Sequence, residues 1–121
     1  MSNYLEMHTK TYLTWNDIEN FILWLINKIK IENKSYVGIY GIPKGGNIIA
    51  TILSYRLNIP LLSAPAKNCL IVDEISATGE TLKPYQSRYD IATMHYYYKS
   101  LVKPTYFYKE ITDEWIIYPW E

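Results

Sequence analysis

Cys69-Leu70-Ile71-Val72-Asp73-Glu74-Ile75-Ser76-Ala77-Thr78-Gly79-Glu80-Thr81 is the stretch that decides the fold class. Its first four residues are apolar and have the pattern of a strand buried on both faces. That strand delivers two adjacent carboxylates, Asp73 and Glu74, and then a Thr-Gly-Glu-Thr loop expected to open a helix. A phosphate can sit on the backbone NH groups of Ala77 to Thr81, with Thr78 and Thr81 adding hydroxyl donors. Ionised Asp73 and Glu74 are acceptors, suited to a sugar diol or a hydrated Mg2+ ion. A solvated acidic turn after a core strand would explain the carboxylates, but not the Thr-Gly-x-Thr that follows.

Upstream, Tyr36-Val37-Gly38-Ile39-Tyr40 reads as another buried strand, and the chain turns at Gly41-Ile42-Pro43-Lys44-Gly45-Gly46. The turn presents NH groups and one ammonium just before a helix, an arrangement that favours anions. A glycine-lysine turn alone is a weak signal. The helix after it carries Ile48, Ile49, Ile52, Leu53 and Leu57 at helical spacing and stops at Asn58 and Pro60, followed by a brief strand from Pro60 to Leu62. Before it, Thr14 and Asp17 make a capping box for a helix from Trp15 to Lys30, whose apolar face is Ile18, Phe21, Ile22, Leu25, Ile26 and Ile29.

Downstream, the pattern predicts a short helix near Thr81 to Ser87, strands at Ile91 to Tyr98 and Thr105 to Ile111, and a terminal apolar segment from Trp115 to Trp120. Strands alternating with helices imply an α/β domain with a mostly parallel sheet covered on both faces. Ligands of such sheets bind at the carboxyl ends of the strands, where both glycine-containing turns fall.

A length of 121 residues suits one domain, 1–121, and 49% apolar with 20% charged residues is the balance of a globular protein. The formal net charge is zero, so no global field draws nucleic acid or an anionic membrane, and an anion site must be built locally. Cys69 is the only cysteine. A buried thiol is expected there, in keeping with a reducing cytoplasm. Met1 to Lys10 lack the apolar core of a signal peptide, and no stretch approaches the ~20 apolar residues of a membrane span. The thirteen tyrosines cluster toward the C-terminus in runs that suit half-buried strands. His8 and His95 lack partners at metal-ligand spacing and are read as structural.

Residues 69–81 resemble the signature of type I phosphoribosyltransferases that binds 5-phosphoribosyl-1-pyrophosphate (PRPP): four apolar residues, two acids, then the phosphate loop. Pro43-Lys44-Gly45-Gly46 resembles that family's pyrophosphate loop, where a cis non-proline peptide would fall at Pro43-Lys44. The C-terminal Thr112-Asp113-Glu114-Trp115-Ile116-Ile117-Tyr118-Pro119-Trp120-Glu121 resembles the end of bacterial xanthine-guanine and archaeal hypoxanthine-type enzymes. The resemblance implies the type I phosphoribosyltransferase fold with a short C-terminal hood, and transfer of ribose 5-phosphate from PRPP to a purine, 6-oxopurine favoured. It implies Lys44, Asp73 and Glu74 as the catalytic set, with Mg2+ on Asp73 and Glu74, directly or through water. Substrate would meet Pro43, Gly45, Gly46 and the loop Ala77, Thr78, Gly79, Glu80, Thr81. Trp115 would stack on the base, the Ile116 backbone would read its edge, and Lys99 would donate to a 6-oxo group. Implied partners are PRPP and a purine base or purine nucleotide, in a cytoplasmic homodimer or higher homo-oligomer.

Two departures stand out. Ala77 replaces the aspartate that begins the phosphate loop of 6-oxopurine enzymes, as in adenine phosphoribosyltransferases. The connection from Leu62 to Asn68 is short where the family has a mobile loop that closes over PRPP, and a short lid predicts slow turnover, leakage to hydrolysis or a lid borrowed from a neighbouring subunit. A PRPP or nucleotide sensor without turnover is therefore the rival reading. An unrelated α/β domain with a flavodoxin-like sheet would require all three motif matches to be accidental.

Overall fold

The computed structural model describes residues 9–121. His8 lies outside them. The elements in chain order are strand β1 (Thr9–Tyr12), helix α1 (Trp15–Ile31), β2 (Ile39–Gly41), α2 (Gly45–Leu57), β3 (Leu61–Leu62), β4 (Leu70–Ser76), β5 (Asp90–Tyr97), β6 (Tyr106–Ile111) and β7 (Glu114–Ile117). Five strands form one sheet in the order β3-β2-β4-β5-β6, and β1 pairs with β7 in a second. Every pairing is parallel.

Helix α1 starts where its capping box predicts. Thr14 Oγ1 accepts from the Asp17 NH at 3.2 Å, and Asp17 Oδ2 accepts from the Thr14 NH at 2.8 Å, so two otherwise orphaned donors are satisfied. Ile18, Phe21, Ile22, Leu25 and Ile29 are buried along one face, each worth about 1.5–3 kcal/mol of transfer free energy. Ile26 packs at the margin of the same core. Helix α2 ends at Asn58, which is left-handed (φ 55°, ψ 47°) and returns its NH to the Ser54 carbonyl.

Alternation along the strands splits the core in two. Ile39, Leu70, Val72 and Ala92 face α1 and α2; Ile71 and Ile91 face the other way, with Ile42, Cys69, Leu82 and Val102. Cys69 is buried, as its apolar setting implies. The second face is covered, but not by a helix. The helix expected from Thr81 to Ser87 is only a three-residue 3-10 turn, Lys83–Tyr85. Pro84 has no NH to give, and short bonds such as Tyr85 NH to Leu82 O (2.9 Å) replace a continuous ladder. The strand expected from Tyr36 begins at Ile39 instead; the Tyr36 hydroxyl donates to Asp90 at 2.6 Å. Among the described residues no helix is long and apolar enough to cross a membrane.

Strand β1 was not expected, since Thr9 to Tyr12 carry no apolar alternation. Its partner supplies the order: Lys10 pairs with Trp115 and Thr11 with Ile116, and Ile116 and Tyr118 enter the core shared with α1. The aromatic side chains around β6 are packed as predicted, with Tyr108 against Trp24 (5.3 Å) and Phe21 (5.9 Å).

Candidate functional site

The carboxyl ends of β2, β4 and β5 bring three connections together. After β2 the turn from Ile42 to Lys44 leads straight into α2, and its Pro43–Lys44 peptide is cis. Pro43 and Lys44 are exposed, while Gly45 and Gly46 are buried. A Cβ on Gly46 would run into the Val72 carbonyl, so glycine lets the start of α2 close onto the end of β4. Gly45 lies beneath the carboxylate of Glu74, which a Cβ would also strike. That carboxylate thus lies over the first turn of α2, where free NH groups favour negative charge.

Strand β4 carries the acidic pair into this corner. Asp73 is only 7% exposed, and its Oδ1 accepts from the Glu74 NH at 2.8 Å. Burial, followed by the adjoining Glu74 carboxylate, holds the Asp73 carboxyl well above the usual carboxylate range. Two carboxylates side by side, one desolvated, are stabilised by a cation or by hydroxyl donors. Among the described residues no cluster of three or more metal-ligating side chains occurs. A Mg2+ ion held by this pair would keep water and substrate oxygens as its other ligands, which is the usual habit of that ion.

The third wall is the loop from Ala77 to Thr81, braced by the turn that follows β5. Gly79 has φ +91°, and a Cβ there would lie 2.8 Å from the backbone nitrogens of Leu101 and Val102. The Leu101 NH donates to the Thr78 carbonyl at 2.9 Å. Ser76 Oγ donates to the Val102 carbonyl at 2.7 Å and meets Ser100 Oγ at 2.8 Å. Within the loop, Thr78 Oγ1 accepts from the Glu80 NH at 3.2 Å, so this hydroxyl also shapes the backbone. The loop does not open an α-helix, and the helix-dipole contribution expected for it is missing. Any anion held there meets NH groups and hydroxyls alone.

These parts enclose a cavity of about 240 Å³ whose walls include Pro43, Asp73, Glu74, Ala77, Thr78, Gly79 and Thr81. Lys99, Trp115 and Ile116 are not among its walls. Lys99 is exposed in the turn after β5, its ammonium 5.4 Å from the Tyr98 ring centroid. Trp115 is half-buried on β7, and the Ile116 side chain is buried.

A second cavity of about 400 Å³ adjoins the first across Glu74 and is lined by Lys44, Gly45, Ile48, Trp120 and Glu121. Trp120 was missed by the sequence reading. It stacks on Tyr118 (centroids 5.2 Å apart, 8°) and meets Trp15 at 5.8 Å. Pro119-Trp120, directly after an apolar strand, was the available signal. His95, expected to be structural, is buried at 2% exposure, and burial pushes its pKa down to about 4.

No protein-family model and no curated protein sequence matches the chain. Solved structures do. A purine phosphoribosyltransferase from Pyrococcus horikoshii Ot3 is 28% identical, superposes with a TM-score of 0.80, and the match covers 93% of this chain and 94% of that one. The Helicobacter pylori xanthine-guanine-hypoxanthine phosphoribosyltransferase is 18% identical, with a TM-score of 0.80 over 95% of this chain and 93% of that one. A hypothetical protein from Neisseria gonorrhoeae with bound ppGpp is 23% identical, with a TM-score of 0.77 over 96% and 91%.

Proposed function

We propose that this chain, a member of the type I phosphoribosyltransferase family by its fold, binds PRPP with Mg2+ and transfers its ribose 5-phosphate to a purine base, a 6-oxopurine in preference to adenine. The observation that carries the reading is the cavity that has Pro43, the acidic pair and Thr78, Gly79 and Thr81 on its walls. Ribose diol and 5-phosphate find matching chemistry within that space, and Lys44 and Gly45, proposed for the pyrophosphate, line the neighbouring cavity across Glu74.

In the proposed reaction a purine nitrogen attacks the anomeric carbon of PRPP. The new C–N bond forms as the C–O bond to pyrophosphate breaks, the electron pair leaves on pyrophosphate, and the proton of the purine nitrogen passes to water or to the departing pyrophosphate. Positioning and neutralisation of the leaving group dominate such a displacement. Lys44 would stand beside the departing pyrophosphate with Pro43, Gly45 and Gly46. Asp73 and Glu74 would hold the ribose hydroxyls or the metal, and Ala77 to Thr81, Glu80 included, the 5-phosphate. Mg2+, when bound, supplies positive charge that offsets the charge developing on pyrophosphate. Trp115 would stack on the base, the Ile116 backbone would read its edge, and Lys99, which can only donate, would select a 6-oxo group. The buried thiol of Cys69 fits a reducing compartment, and cytoplasmic purine salvage by a homodimer or higher homo-oligomer is the setting proposed.

A second reading, a PRPP- or nucleotide-binding regulator without turnover, is favoured by the link from Ser63 to Asn68, which is short and forms no strand. The likeness to a ppGpp-bound protein is compatible with either reading.

Calorimetric titration of PRPP in the presence of Mg2+ tests the binding claim common to both. Wild type should bind, and Asp73→Asn with Glu74→Gln should weaken binding at least about tenfold, the scale of lost charge-assisted hydrogen bonds. Equal affinity in the folded double variant would remove the acidic pair from the site.

A further inference from the structure

Tyr118 is 4% exposed, and its hydroxyl joins two groups far apart in sequence. It donates to the backbone carbonyl of Glu74 at 3.1 Å and lies 2.9 Å from His95 Nδ1. A carbonyl can only accept, so the Tyr118 proton is committed to Glu74, and the proton between His95 and Tyr118 belongs to Nδ1. His95 therefore acts as a neutral donor that orients the hydroxyl. The ring has no latitude either: it stacks on Trp120 at 8° and meets the His95 imidazole edge-on at 5.6 Å. The β4–β5 register runs from Asp73 opposite Thr93 to Ile75 opposite His95. The Glu74 peptide between them is the one addressed by the C-terminal segment. The side chain of that same residue lies over Gly45 and forms the partition between the two cavities.

We infer that Tyr118 is a positioning residue, whose hydroxyl, oriented by His95, fixes the Glu74 peptide and through it the carboxylate that recognises the ribose hydroxyls. The inference rests on the ribose role proposed for Glu74. It adds that the C-terminal segment carrying Trp120 and the acidic pair are one mechanical unit.

Calorimetry with inosine 5′-monophosphate and its 2′,3′-dideoxy counterpart, both with Mg2+, reads this directly. The ratio of the two affinities, taken on one preparation, is not moved by a change in folded fraction. Wild type should prefer the ribonucleotide by roughly tenfold or more, the size of hydrogen bonds to a charged group. Tyr118→Phe keeps the stacked ring and should collapse that ratio toward one, as should His95→Leu, which provides the same test if Tyr118→Phe does not fold. His95→Asn retains an NH donor and should keep the preference. In a Glu74→Gln background, Tyr118→Phe should add no further loss, since both act through one contact. A wild type that prefers the ribonucleotide, with the preference intact in Tyr118→Phe and His95→Leu or with losses additive to Glu74→Gln, overturns the positioning role and leaves the ribose assignment standing. A wild type without any preference overturns both.

Discussion

The carboxylate of Glu74 rests against the Cα of Gly45, in space that any side chain at position 45 would take. Gly46, one residue on, faces something different in kind: the Val72 carbonyl, part of a core strand. A carboxylate at the end of a flexible side chain can move, and strand backbone cannot.

Gly45→Ala and Gly46→Ala should therefore separate. Gly45→Ala should change thermal stability little, because helix propensity returns up to about 1 kcal/mol, while PRPP affinity falls roughly tenfold as Glu74 is displaced. Gly46→Ala should lose about 1–3 kcal/mol by overpacking. Denaturant melts and calorimetry on both variants check this, and equal effects on stability would contradict the placement of Glu74.

Asp73 gives the protein without ligand a pH dependence opposite to that of a salt-bridged carboxylate. Its folded pKa is raised to about 9 by burial and by Glu74, whereas an exposed aspartate titrates near ~4. The folded state thus binds a proton more tightly than the unfolded state. Its contribution is fully present below about pH 4 and is lost as pH rises through the folded value. Asp73→Asn should leave the melting temperature at pH 4 nearly unchanged and raise it by several degrees at pH 8. A melting temperature equally shifted at both pH values would show that Asp73 is not desolvated as described.

Gly79 holds the loop proposed to bind the 5-phosphate against the turn after β5. At φ +91°, with backbone nitrogens of Leu101 and Val102 at 2.8 Å from a Cβ, Gly79→Ala meets both strain and collision. The expected loss is about 1–3 kcal/mol from the backbone alone. Affinity for a nucleoside monophosphate should fall with it, more than affinity for the free base, as competition calorimetry would show. Unchanged nucleotide affinity would move the 5-phosphate elsewhere.

How much of this was legible in the sequence depended on how local the cause was. Strand β4, its acidic pair and its loop could be read because an apolar run followed by Asp73-Glu74 and Thr78-Gly79 is a contiguous signal. Helix α1 could be read from its cap and its 3.6-residue period. Strand β1 could not, since Thr9 to Tyr12 carry no alternation of their own and pair with the distant Glu114 to Ile117. The segment after Thr81, expected as a helix, forms tight turns instead, since Pro84 has no NH to give and Leu82 packs into the second core. The Tyr118 hydroxyl bonds join positions 23 and 44 residues apart, and no periodicity announces such a meeting.

In the proposed base site Trp115 would give affinity and Lys99 choice, and their variants should behave differently. Trp115→Ala should weaken every purine by about 1–3 kcal/mol, the range for a stacked base. Lys99→Ala should narrow the gap between hypoxanthine and adenine with less effect on adenine itself. Inhibition of nucleotide binding by each free base measures both, and a Lys99→Ala protein with unaltered selectivity would take that lysine out of the base site.

Pyrophosphate release from PRPP and Mg2+, measured with hypoxanthine, guanine, xanthine and adenine in turn and with no base, tests the proposed activity most directly. The expected result is release that depends on the base, accompanied by the matching nucleoside monophosphate, and faster with one of the three 6-oxopurines than with adenine. Release that never exceeds the base-free rate, from protein that binds PRPP, would contradict transferase activity and leave a binding protein; adenine as the best acceptor would overturn the role given to Lys99.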